Sequence, residues 1–270
     1  MTALLTSELR TLFRRRRTWA MLTVLAAAPV LLAVALWLSG DEPAPGEGPP
    51  FFDRITQSGL FVSVAALALS IPFFLPVTVA VVAGDSLAGE ASLGTLRYLL
   101  VAPAGRSRLL LVKAVAALAF AVAGIGTILV VGAGLGTVLF GVGPVPTLSG
   151  STLGVAGSSG RIALVGLYAL VSLLGLMAVG ILVSTLTDVP VGAMAATVIA
   201  AIASQILGSI PQLDWLHPWL PTRYWFGFAD MLRDPIAWGQ LQDSLVLQLG
   251  YVAVLGSLAW ARFTTKDVLS

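Results

Sequence analysis

The residue types needed for nucleophilic acyl transfer occur in two short stretches of the chain. Ser86 lies in "GDSL" at 84–87, and Asp214 and His217 lie in "DWLH" at 214–217. Such a site needs the imidazole within hydrogen-bond reach of the hydroxyl, with the carboxylate orienting the ring. His217 is the only histidine and there is no cysteine, so thiolate chemistry and a His/Cys zinc site lack ligands. Of the two lysines, Lys113 and Lys266, neither sits in G-x-x-x-x-G-K-[ST], the loop that cradles nucleotide phosphates. Whether Ser86 can meet His217 depends on the elements that carry them.

Those elements are set by hydropathy. The 270 residues are 57% hydrophobic and 10% charged, with mean hydropathy +0.96. A soluble domain carries about 25% charged residues, so this is a membrane protein. A spanning helix needs about 20 apolar residues. Six stretches qualify, near 18–38, 58–84, 109–140, 162–187, 189–210 and 242–261. The expected fold is all-α, a polytopic bundle of six transmembrane helices forming a single transmembrane domain over 1–270. Arg14–Arg17 before the first run resemble a signal-peptide start. The run is too long for a typical apolar signal core, and the next stretch is acidic and Pro-rich, so it reads as an uncleaved span. Pro72 and Pro76 should kink the second span. The third, some 48 Å long as a helix, must tilt, break or project. "TDVP" between the fourth and fifth spans implies a tight hairpin.

Lys and Arg give the orientation. With both termini on one side, that side holds Arg10, Arg14–Arg17, Arg97, Arg106, Arg108, Lys113, Arg262 and Lys266. The other holds only Arg54, Arg161, Arg223 and Arg233. Both termini and residues 85–108 are therefore expected in the cytoplasm, in a plasma (inner) membrane. This separates Ser86, at the cytoplasmic end of span two, from His217 in an external loop, and makes the hydrolase motif a coincidence. Residues 141–161 are Gly/Ser-rich and read as flexible. Residues 211–241 hold Trp215, Trp219, Tyr224, Trp225 and Trp238, an external aromatic segment of interfacial or re-entrant character. His217 reads as an interfacial polar residue.

Near the start, Leu5, Leu9 and Leu12 recur at helical spacing with Phe13 beside them, while Glu8, Arg10 and Arg14 fall mainly elsewhere on the wheel. This predicts an amphipathic helix on the cytoplasmic leaflet, in contact with lipid. The spans lack a clear mid-membrane charge. Their polar groups are mild: Thr127, Thr137, Ser172, Ser184, Ser204, Gln205 and Gln248, mostly interhelical hydrogen-bonding candidates. Gly132 and Gly136 stand at G-x-x-x-G spacing, a possible dimer face.

The segment "GDSLAGEASLGTLRYLLVAPAGRSRLLLVK" at 84–113 gathers Asp85, Glu90, Arg97, Arg106, Arg108 and Lys113. Leu93, Leu96, Leu99 and Leu100 lie opposite Ser92, Thr95 and Arg97, which predicts a short amphipathic helix ending at Pro103. Glu90 falls near its start, where an anion suits the helix dipole, and Arg10 or Arg14 of the N-terminal helix could pair with it. Such an element suits docking into a groove on another protein.

At these residues the chain resembles the type-2 ATP-binding-cassette (ABC-2) exporter permeases. Glu90, Gly94, Thr95, Pro103, Arg106, Arg108 and Lys113 occupy places that match the family's pattern between spans two and three. The amphipathic start, the six spans and the aromatic stretch before span six match as well. "LSGST" at 148–152 resembles the start of an ATPase signature but departs after three letters. The resemblance implies a non-enzymatic membrane subunit that pairs with a second permease copy and binds a separate cytosolic ABC ATPase. ATP and Mg would be bound by that partner, with no cofactor, metal or nucleic acid on this chain. The helix after span two would be a coupling helix carrying Glu90, Gly94, Thr95, Leu96 and Arg97, with Pro103, Arg106 and Arg108 at its exit. The implied function is export of an amphipathic small molecule: a drug, a peptide antibiotic or a lipid-like compound. The alternative is a non-transport membrane protein, an embedded hydrolase or an assembly scaffold.

Overall fold

The computed structural model describes residues 2–39, 58–95, 105–143 and 145–265. Among them the chain forms nine α-helices: α1 (Thr2–Arg14), α2 (Arg16–Ser39), α3 (Phe61–Ser70), α4 (Phe74–Ser92), α5 (Arg106–Phe140), α6 (Val155–Ser172), α7 (Leu174–Leu186), α8 (Pro190–Gly208) and α9 (Gly239–Thr265). A two-residue antiparallel pairing, Val145–Pro146 with Thr152–Leu153, is the one strand contact there. Six helical stretches are long and apolar enough to cross a membrane, α6 and α7 together making one of them.

Span two is broken rather than kinked. α3 ends at Ser70, Pro72 sits in the turn, and Pro76 falls in the first turn of α4, where a missing N–H costs little. The carbonyl of Pro72, which Pro76 cannot fill, accepts from Gln205 Nε2 of α8 at 3.0 Å. α4 then continues eight residues past the expected end of the span, so Asp85 and Glu90 lie in a helix and not in a loop. The fourth span is also interrupted, at Leu173. Gln248 of α9 accepts from Gly175 N at 2.8 Å and donates to Pro221 O at 2.9 Å, satisfying the backbone that the break exposes. Of the seven mild polar residues, Ser184, Ser204, Gln205 and Gln248 bond across elements, whereas Thr127, Thr137 and Ser172 bond carbonyls of their own helices.

The long α5 runs unbroken at the centre of the bundle. Gly132 and Gly136 do not form an outer face: a Cβ on Gly132 would stand 2.7 Å from Ser63 Cα, and one on Gly136 would run into the Gly59 carbonyl. The motif is consumed inside the chain, where it lets the start of α3 meet the α5 backbone. Leu31 and Trp37 of α2, Val191 and Ile199 of α8, and Val246 and Leu249 of α9 point outward. Apolar faces of this extent require lipid or another protein.

At the end away from α1, residues 145–161 are bonded to the segment at 231–234. Leu148 N donates to Leu232 O at 3.0 Å, Arg161 Nη1 donates to the carbonyls of Met231 and Arg233, and α6 begins at Val155. The aromatic segment folds into 3-10 turns at Pro211–Leu213, His217–Trp219 and Gly227–Leu232. Trp225 and Phe228 are buried in the core, while Trp215, Trp219 and Trp238 are exposed.

Candidate functional site

α4 ends because Gly94 turns left-handed, at φ +67°. Gly94 N donates to Ala91 O and Thr95 N to Glu90 O, both at 3.0 Å, the paired bonds of a Schellman closure. Glu90 is thus in the last turn of α4, not at the start of a following helix, and the dipole there disfavours an anion. Its carboxylate is held instead by the Thr95 hydroxyl and by Lys113.

Lys113, in the second turn of α5, is 3% exposed. Its Nζ donates to Glu8 Oε1 of α1 at 2.8 Å and to Glu90 Oε1 at 3.0 Å. A buried ammonium is tolerated only when paired and hydrogen-bonded, and here two carboxylates from two other helices meet it. The N-terminal helix therefore contributes Glu8 to this junction; Arg10 and Arg14, the expected partners of Glu90, are exposed on its other face. Beside the triad, Arg15 Nη1 reaches Asp85 Oδ2 at 3.3 Å, and Arg17 pairs with the same oxygen. Together these groups line a cavity of about 610 Å³.

α1 is held by its apolar stripe. Leu12 is buried, Leu9 and Phe13 pack against the core, and Leu5 is half-buried. The stripe faces protein, chiefly α5, rather than being left for the leaflet. Arg106 Nη1 donates to Phe263 O at 3.2 Å and Thr264 O at 2.8 Å, so it closes the C-terminus of α9. Arg108 is exposed. Leu96, Arg97, Leu99, Leu100 and Pro103, hence the expected amphipathic helix, lie outside the described residues. Sequence reasoning placed Lys113 in the family pattern without seeing it as the partner of Glu8 and Glu90, and passed over Asp85, Arg15 and Arg17 as site residues. The available signal was a lone lysine inside "LLLVKAVAAL", which has to find partners.

The hydrolase constellation does not assemble. Ser86 lies by the start of α8: it lines the cavity with Pro190, and its hydroxyl donates to Ala83 O at 2.6 Å. His217 Nε2 lies 3.2 and 3.1 Å from the carbonyls of Leu207 and Ile210 at the other end of α8, with Asp214 Oδ1 3.2 Å from Nδ1. The helix between them is about 25 Å long.

A helical bundle with outward apolar faces and six stretches long and apolar enough to cross a membrane fits a multi-pass membrane protein, and a charged three-helix junction lies at one of its ends. The family model described as "ABC-2 family transporter protein" matches residues 4–204, from α1 through most of α8, and the chain belongs to that family. It is accordingly the membrane permease subunit of an ABC transporter, and membership implies an ABC ATPase subunit as partner. No match is found among curated proteins.

Proposed function

We propose that this permease exports an amphipathic small molecule from the cytoplasm (a drug, a peptide antibiotic or a lipid-like compound), powered by ATP and Mg bound on the partner ATPase. Both termini lie in the cytoplasm of a plasma (inner) membrane, in keeping with the basic residues gathered at the α1 end. A second permease copy completes the pathway against one of the outward apolar faces. The motor docks at the end formed by α1, the C-terminus of α4 and the N-terminus of α5, through the segment from Gly94 to Arg108.

The observation that carries this reading is Lys113. One ammonium joins α1, α4 and α5, so a push on any of the three is shared at once by the others. Leu96, Arg97 and Pro103 supply the docking segment, Arg106 holds the entry of α5 to α9, and Arg108 is free to face the motor's surface. The spans carry mild polar groups and no clear mid-membrane charge, which suits an amphipathic cargo better than a bare ion.

The test is paired. Glu90→Ala should spare insertion and ATPase co-purification but lower cargo export per ATP hydrolysed. Leu96→Asp should weaken ATPase retention itself. Normal retention and normal export in both variants would remove the segment from coupling. Terminal fusions to a reporter active only outside the cytoplasm should stay silent.

A further inference from the structure

The cavity beside the junction is divided by charge. On one side two guanidiniums, Arg15 and Arg17, converge on a single carboxylate, Asp85, leaving that side net positive with most of its N–H donors unused. Arg16 lines the same cavity, is exposed, and has no ion pair among the described residues. On the other side one ammonium, Lys113, is shared by two carboxylates, Glu8 and Glu90, leaving that side net negative. Asp85 and Glu90 are five residues apart on α4, about 7.5 Å along its axis. The floor is apolar: Leu12, Val82, Ala116 and Ala117, all buried, line it.

We infer that this cavity binds a phosphate–ammonium zwitterion, the headgroup of a phosphatidylethanolamine-type lipid, with phosphate on the arginine side and ammonium on the Glu8–Glu90 side. A plain anion would satisfy the arginines and leave the acidic side unanswered. A choline headgroup offers no N–H to the carboxylates. The apolar floor, and the position where an arginine run enters the span α2, favour a lipid over a soluble zwitterion. The slot shares Glu8 and Glu90 with the junction at Lys113 and uses the donors and acceptors that the ion pairs leave over.

The full chain, purified and equilibrated with equimolar phosphatidylethanolamine, phosphatidylglycerol and phosphatidylcholine, is read by native mass spectrometry for retained lipid. Phosphatidylethanolamine should exceed each of the others about tenfold, the size of one charge-assisted hydrogen bond. Arg17→Gln leaves Asp85 paired with Arg15 and should lower its retention about tenfold. Glu8→Gln leaves Lys113 paired with Glu90 and should erase the preference over phosphatidylglycerol. Thermal unfolding of both variants checks that they remain folded. Equal retention of phosphatidylcholine, or stronger retention of phosphatidylglycerol, overturns the zwitterion site, and retention of O-phosphoethanolamine as tight as that of the lipid overturns the lipid. None of these readouts involves the ATPase, so the transport assignment stands or falls separately.

Discussion

Gln205 of α8 donates its side-chain amide to the carbonyl of Pro72, the acceptor that Pro76, four residues on, cannot serve. Inside a membrane that carbonyl has no water to turn to. Gln205→Leu should therefore destabilise the bundle by about 1 kcal/mol, read as a lower unfolding temperature in detergent. An unchanged temperature would mean that the break in span two is satisfied some other way.

The contact of Gly136 with Gly59, and of Gly132 with Ser63, leaves no room for a methyl group. Gly132→Ala and Gly136→Ala should each cost about 1–3 kcal/mol through overpacking. Self-association of the folded fraction, measured by cross-linking, should stay as in the parent chain. Loss of cross-linking without loss of stability would restore the glycines to a dimer face.

Lys113→Ala leaves Glu8 and Glu90 facing each other without their cation, at an expected cost of about 3–5 kcal/mol. The triple change Glu8→Gln, Lys113→Met, Glu90→Gln removes all three charges and should recover most of that stability. Export should not recover with it, since the charged link from α1 to α4 is gone. A triple variant that both folds and exports normally would reduce the triad to packing.

Ser86→Ala should leave export near the parent level, and a serine-directed phosphonate should not label Ser86 in the intact chain. His217→Ala, in contrast, removes the imidazole contact to the carbonyls of Leu207 and Ile210 and should lower the unfolding temperature, at a cost of about 1 kcal/mol. Labelling of Ser86 that depends on His217 would revive the hydrolase.

The spans were legible because hydropathy and length suffice to find them. Their interruptions were only half legible. Pro72 and Pro76 announced a defect in span two, but its form depended on Gln205 from a helix over a hundred residues away. Leu173 carries no breaker at all; that break is held by Gln248 and by Trp225, whose Nε1 donates to Ser172 O at 3.1 Å. In the junction, Glu8, Glu90 and Lys113 were each visible in the sequence, yet not as partners of one another. The Gly94–Thr95 pair is a helix-ending signal. Taken that way, it places Glu90 on α4 and within reach of α5. Residues 141–161 looked flexible from composition because the side chains and carbonyls that anchor them, around Met231 to Asp234, lie far along the chain.

The unbroken α5 has a mechanical consequence. Near one end it carries Lys113, tied to α4 through Glu90; near the other, its glycines seat α3, and Gly59 N bonds Gly141 O at 3.2 Å. Between these attachments lies a stiff rod about 40 Å long. A tilt of about 5° at the lysine carries Phe140 sideways by roughly 3.5 Å. With α4 fixed at one end of the rod and α3 at the other, the difference falls on the turn at 71–73, a universal joint braced to α8 by the amide of Gln205.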